Sequence, residues 1–128
     1  MSEMDLLNSV RLAVSRAGCV IFRINVGTGM TKDGRFFTTG VPVGHSDLYG
    51  VRPDGRAFFI ETKLHPRKPT KEQCDFLLRM IRQNACAGVA YTVEEALKIV
   101  EWDEDFAVKM KHALEGVLLC RSKRRGEE

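Results

Sequence analysis

The five residues Arg52-Pro53-Asp54-Gly55-Arg56 constrain this chain more than any others. Pro suits the second residue of a type I turn and Gly the left-handed position that follows, which together make a three-residue hairpin loop with a bulge. The flanking runs Asp47–Arg52 and Arg56–Lys63 are both strand-like, so the loop predicts a hairpin and fixes its register. If Arg52 and Arg56 close the loop, the numbers of opposed residues sum to 108, as 52 and 56 do, and Asp47 lies directly across from Glu61. Side chains alternate along a strand, so Lys63 shares the face of Glu61, whereas Phe58, Ile60 and Thr62 point to the other.

Two carboxylates opposed on neighbouring strands repel, and burying them uncompensated is costly, so Asp47 and Glu61 need a cation. Lys63 alone is one answer. A hard divalent ion is the other, because Mg²⁺ takes oxygen ligands from one or two carboxylates and completes its shell with water and phosphate oxygens. That arrangement suits attack on a phosphodiester: the metal lowers the pKa of a bound water and offsets transition-state charge, while Lys63 orients the water and steadies the phosphate. The bland alternative is a solvated Glu-Lys pair on an ordinary hairpin, and for an isolated E-x-K it is the better one. Three features oppose it here. Ala57-Phe58-Phe59-Ile60 is apolar on both faces, as in a buried strand. Asp47 falls in register with Glu61. Finally, Lys63, His65, Arg67, Lys68 and Lys71 form an acid-free basic run beside the pair, suited to phosphate contacts.

Elsewhere, Leu6, Leu7, Val10, Ala13, Val14 and Ala17 recur at helical spacing before Gly18, predicting an amphipathic helix over Ser2–Ala17. Cys19–Val26 reads as a strand, apolar on both faces and so expected to be mostly buried. Gly27–Ser46 is a Gly- and Thr-rich connector in which only Arg35-Phe36-Phe37 resembles a strand stub, and connectors of that length tend to be functional. Phe36 and Phe37 suit either a core position or stacking on an opened base. A helix is expected from Thr70 to about Asn84, a short strand over Ala87–Tyr91, a helix capped by a Thr92/Glu95 box, and a last helix capped by Asp103 with Phe106, Met110, Leu114, Val117 and Leu118 on its apolar face. The order is helix, two or three strands, helix, strand, helices.

The succession of Gly-rich loop, G-H-S-D-L-Y-G, hairpin, F-F-I-E-T-K, basic linker, T-K-E-Q at a helix start and A-G-V-A-Y-T ahead of E-E-A-L resembles the VRR-Nuc branch of the PD-(D/E)XK nucleases from about Ser2 to Val100. The resemblance implies an α/β fold with a restriction-endonuclease-like core, a mixed β-sheet flanked by helices in αβββαβ order, followed here by C-terminal helices. It places one nuclease domain over residues 1–120, leaving 121–128 as a basic flexible tail. It also implies cleavage of DNA dependent on Mg²⁺ or Mn²⁺, often at branched or flapped structures such as Holliday junctions, by a homodimer acting in repair, recombination or replication. By position, Asp47, Glu61 and Lys63 match the catalytic triad, and the backbone carbonyl of Thr62 is an additional metal ligand. Gln73 matches a helix glutamine near the site, although Thr70-x-x-Gln73 is also a capping box. Glu3 matches the acidic residue of the first helix that completes metal binding; its rival is Asp5, itself a capping-box partner for Ser2. Ser46 stands where the superfamily name puts Pro, a residue that contributes backbone shape and no ligand.

Arg23, Lys32, Arg35, His45, His65, Arg67, Lys68 and Lys71 are the candidate DNA contacts, with His65 otherwise a surface residue. Charge distribution agrees. Residues 1–91 carry 13 basic and 8 acidic residues, net +5, whereas 92–128 carry 7 and 9, net −2, so a polyanion belongs to the first part. A chain of 128 residues with four prolines and 44% hydrophobic residues has room for one core and one site. Its four cysteines lack zinc-site spacing and read as reduced, mostly buried thiols. No apolar run reaches membrane-spanning length and the first residues are acidic, so a cytoplasmic location is expected. The alternatives are a non-catalytic nucleic-acid-binding module on a nuclease fold, an RNA- or nucleotide-directed phosphodiesterase, and a structural protein that binds no divalent metal.

Overall fold

A computed structural model describes residues 1–24, 28–38 and 40–124 of the chain. Helix α1 (Glu3–Arg16) starts at a complete capping box in which the Ser2 hydroxyl accepts from Asp5 N–H and the Asp5 carboxylate accepts from Ser2 N–H. It buries Leu6, Leu7, Val10 and Val14, the spacing read from sequence. Strands β1 (Val20–Arg23), β4 (Leu48–Val51), β5 (Ala57–Thr62) and β6 (Cys86–Ala90) form one sheet in the order β1-β4-β5-β6. The first two pairings are antiparallel. The last is parallel, its crossover being α2 (Lys71–Arg82).

The hairpin register is the one the turn dictates: Leu48 opposes Ile60, Tyr49 Phe59, Gly50 Phe58 and Val51 Ala57. Arg52 N–H donates to Arg56 O and Gly55 N–H to Arg52 O, both at 2.9 Å, with Gly55 at φ +87° where a side chain would be strained. Helices α1 and α3 (Val93–Glu101) pack together against the face carrying Leu48, Phe58 and Ile60, each fully buried. Burial of one such side chain contributes about 1.5–3 kcal/mol. On the opposite face α2 packs on β5 and β6, and α4 (Glu104–Arg124) packs on α2 and β6. The mixed sheet flanked by helices is therefore the α/β architecture expected from the sequence.

Five expectations need correction. The connector 27–46 contains a separate two-stranded sheet, β2 (Thr28–Met30) with β3 (Phe36–Thr38), rather than a single stub. Phe36 is 82% exposed, so its core reading fails: this hairpin lies outside the main sheet and lays no core over it. β1 is an edge strand with Val20 and Phe22 exposed, not a buried one, because among the described residues no helix covers its second face; its expected end, Asn25–Val26, lies outside the described residues. Helix α4 runs four residues into the stretch expected to fray, and the Arg121 guanidinium donates to Pro69 O (2.6 and 3.0 Å), which anchors that turn; Arg125 to Glu128 lie outside the described residues. At α3, the Thr92/Glu95 box is only half formed, since the Glu95 carboxylate takes Tyr91 N–H instead of Thr92 N–H. Cys19, Cys74 and Cys86 are buried free thiols and Cys120 is exposed. No helix of the described residues is long and apolar enough to cross a membrane.

Candidate active site

The site forms at the end of β5 farthest from the hairpin turn. Asp47 immediately precedes β4, and its carbonyl accepts Ile24 N–H at 2.9 Å, continuing the β1–β4 ladder by one rung. Its own N–H donates to Glu61 Oε2 at 3.3 Å, so the two acidic residues meet as the register requires. Gly44 lets the loop approach: at φ +93°, a Cβ there would lie 2.3 Å from Glu72 O in the first turn of α2. Only a residue without a side chain seats His45-Ser46-Asp47 against that helix. Ser46, fully buried, donates its hydroxyl to Leu48 O at 2.8 Å and so bridges the turn into β4 in the position where a proline was expected.

Glu61 is 2% exposed and Lys63 5% exposed, so this E-x-K is not a solvated surface pair. Lys63 Nζ lies 3.8 Å from Glu61 Oε1, and Gln73 Nε2 donates to that same oxygen at 3.2 Å. Burial, then the neighbouring Asp47 carboxylate, push the Glu61 pKa up to about 8 against the pull of Lys63. Asp47 is also raised, chiefly by burial, with Lys63 and Arg23 opposing. The two acids thus share one lysine in surroundings that disfavour their charged forms. Such a site gains from an added cation, and its donors are the hard oxygens that Mg²⁺ or Mn²⁺ prefers.

Gln73 serves both of its expected roles at once. Its Oε1 accepts Thr70 N–H to complete the capping box of α2, leaving Nε2 for Glu61. Asp5 is spent on the cap of α1, where hydrogen bonds from the Ser2 backbone and hydroxyl lower its pKa. Glu3 is the acid of that helix whose charge reaches Asp47 and Glu61, yet its carboxylate pairs with Arg67. Among the described residues, no three His, Cys, Asp or Glu side chains gather as a metal-binding group. The Thr62 side chain is buried on the face away from Glu61, and its backbone follows directly on that residue.

The candidate DNA contacts divide. Arg23 and His45 act electrostatically on Asp47 and so border the site. The His45 ring is packed among Phe76 (4.5 Å), Tyr49 and Phe59 (both 5.8 Å), and its Nδ1 is 2.7 Å from Ser46 O. His65 stacks on Tyr91 at 4.0 Å. Lys68 is exposed, and Lys71 pairs with Asp75 at 2.8 Å. Lys32 and Arg35 lie at the tip of the β2–β3 hairpin, where Arg35 meets Asp33 at 3.4 Å. Unforeseen from sequence is an aromatic row, Phe22, Tyr49 and Phe59, directly opposed across β1, β4 and β5. The signal was present in the register, because Tyr49 and Phe59 have the parity of Asp47 and Glu61.

No protein-family model matches the chain, and no curated protein matches it. A solved structure described as a VRR_NUC domain does match in fold, with a TM-score of 0.55 over 77% of this chain and 94% of its own at 20% sequence identity. The nuclease-like fold expected from the sequence is therefore the fold observed.

Proposed function

We propose that this nuclease-fold domain is a DNA endonuclease dependent on Mg²⁺ or Mn²⁺, selective for branched or flapped DNA and acting in repair, recombination or replication. The observation that carries the reading is the convergence of half-buried Asp47 with buried Glu61 and Lys63 at the end of β5. A structural charge cluster has no reason to hold two carboxylates on one lysine with their pKa values raised.

Asp47 and Glu61 would hold the ion, with the Thr62 carbonyl and Glu3 as further ligands; when bound, it supplies an acidified water and offsets charge on the pentacoordinate phosphorus. The chain's own groups do the rest. Gln73 and Asp47 N–H each engage one oxygen of Glu61, fixing its carboxylate plane. Lys63, buried beside it, would orient the attacking water and balance the phosphate. Arg23 and His45 beside the site, His65, Arg67, Lys68 and Lys71 between β5 and the start of α2, and Lys32 and Arg35 on the hairpin would hold the strand through its phosphates.

A homodimer is supported by α4. Its exposed side carries Glu104, Val108, His112, Glu115, Leu119 and Lys123 on one stripe, with Val108 54% and Leu119 56% exposed. An antiparallel two-fold pairing would set Glu104 on Lys123, Val108 on Leu119 and His112 on Glu115, a self-complementary pattern. Glu104→Lys or Lys123→Glu alone should lower the mass in solution to that of a monomer and the double variant restore it; a mass unchanged throughout removes α4 as the interface.

The nuclease reading is tested with end-labelled four-way-junction, flap, single-stranded and duplex DNA, incubated with Mg²⁺, Mn²⁺ or EDTA. Metal-dependent cuts in the branched substrates that vanish in Asp47→Ala and Lys63→Ala are expected. Wild type that binds without cutting would instead make this a non-catalytic nucleic-acid-binding module.

A further inference from the structure

Next to the carboxylates, on the same face of the sheet, lies the aromatic row. Tyr49 is two residues from Asp47 and Phe59 two from Glu61, and Phe22 opposes Tyr49 on the edge strand. The rings run nearly parallel: Phe22 to Tyr49 at 5.3 Å and 29°, Tyr49 to Phe59 at 6.4 Å and 19°. At the inner end Phe76 meets Phe59 edge-on at 5.4 Å, and His45 closes on both Tyr49 and Phe59. At the outer end Phe22 is 46% exposed, on a strand with no further neighbour in the sheet among the described residues. The row is thus braced from inside and open at its last ring.

Diagonal neighbours on adjacent strands, such as Phe22 and Asp47, stand about 7–8 Å apart. That is the reach of a base from a phosphate near its own nucleotide. Arg23 follows Phe22 and, from the other face of the edge strand, acts electrostatically on Asp47, so a cation also stands near the carboxylates. Carboxylate pair and open aromatic face therefore lie side by side on one face of the sheet, as a cleaved phosphate and a neighbouring base would require.

We infer that Phe22, backed by Tyr49 and Phe59, is a stacking platform for an unpaired nucleobase next to the phosphate held at Asp47 and Glu61. This rests on the nuclease reading and gives it a basis for structure selectivity. A base inside a duplex already has neighbours on both faces, whereas a base in a flap or an opened junction offers a free face to the ring. Stacking reads any base, so the platform selects unpaired strand and not sequence.

The test is binding in Ca²⁺, in place of the ions expected to support cutting, of a single-stranded oligonucleotide containing 2-aminopurine and of its duplex, as DNA and as RNA. Wild type should quench the fluorophore in the single strand. Phe22→Ala and Phe22→Leu should weaken single-strand binding on the order of tenfold and abolish the quench, Phe22→Trp should keep both, and duplex binding should not change. Phe22 dependence on DNA alone would name DNA as the source of the base; on both, any nucleic-acid strand. Val20→Ser, one row farther from Asp47 and equally solvent-facing, should leave single-strand binding intact. Equal losses on duplex and single strand, an equal loss from Val20→Ser, or a fall in solution mass with Phe22→Ala would overturn the inference, the last two in favour of a protein covering the strip. Because the readout is binding, it holds or fails independently of whether Asp47→Ala stops cleavage. Phe22 is exposed at an edge, so its variants should fold, as thermal melting would check.

Discussion

The β4–β5 hairpin carries a charged cluster at each end, and the two are opposites. At the turn, Arg52 pairs with Asp54 at 2.5 Å and donates to Val100 O at 3.0 Å at the C-terminus of α3, while Arg56 donates to Asn84 O at 2.8 Å. Each charge there has a partner of opposite sign or a carbonyl, and the hydrogen bond from Arg52 lowers the pKa of the exposed Asp54. Fourteen residues separate Asp47 from Glu61, yet at their end two acids share one lysine and burial raises both. The turn end is arranged to favour its charged forms. The strand end is arranged against them, as in a site that takes up a cation.

The sharpest way to break this contrast is to neutralise one aspartate at each end. Asp47→Asn should lower the cleavage rate by roughly a thousandfold or more, because a group that acts as part of a unit costs most of the unit's effect. It should also stabilise the metal-free protein by about 1 kcal/mol, the usual gain when a functional like-charge contact is relieved. Asp54→Asn should do the reverse, lowering the melting midpoint slightly and leaving cleavage untouched. Cleavage assays beside thermal melts in EDTA read both. If Asp47→Asn melts earlier than wild type, the two ends are not opposites and the carboxylate pair is structural.

A second step uses the arginine. Arg52→Ala removes the partner of Asp54 and the donor to the last carbonyls of α3, and should cost about 1–2 kcal/mol of stability. It sits at the far end of the hairpin from Glu61, so its cleavage rate should match wild type once folded. A large loss of cleavage at temperatures well below its melting point would mean that the turn transmits register to the site, and that the two ends are coupled.

The legibility of these two ends differed for a physical reason. Turn chemistry is local: Pro53, Asp54 and Gly55 set the loop, the loop set the register, and the register put Asp47 on Glu61 with no tertiary information. Most of what could be read locally elsewhere was also right, including the caps at Ser2, Thr70 and Asp103; the exception is the Thr92/Glu95 box, where Glu95 takes the N–H of Tyr91. The other failures depended on strand order or on distant partners. Phe22 has the composition of a buried strand, and nothing nearby in sequence says that β1 is an edge. The β2–β3 hairpin turns at Thr31-Lys32-Asp33-Gly34, but its strands have three residues each, too few to show alternation. Arg121 finds Pro69 across 52 residues, and Glu3 finds Arg67 across 64.

Gln73 gives the smallest and most discriminating test, since a single amide joins the cap of α2 to the carboxylate proposed for catalysis. Its carbonyl oxygen caps α2 and its nitrogen holds Glu61. Gln73→Ala removes both and should cost about 1 kcal/mol of stability together with about a tenfold loss in cleavage. Gln73→Glu separates them. Glutamate is the other natural partner in a capping box, so the helix cap should survive and the melting midpoint in Mg²⁺ should stay near wild type. The donor to Glu61 is gone, however, and a third carboxylate now faces a pair already short of positive charge. Cleavage should then fall at least as far as in the alanine variant. If Gln73→Glu cuts as well as wild type, the amide nitrogen contributes nothing to the reaction, and Glu61 is oriented by the Asp47 backbone alone.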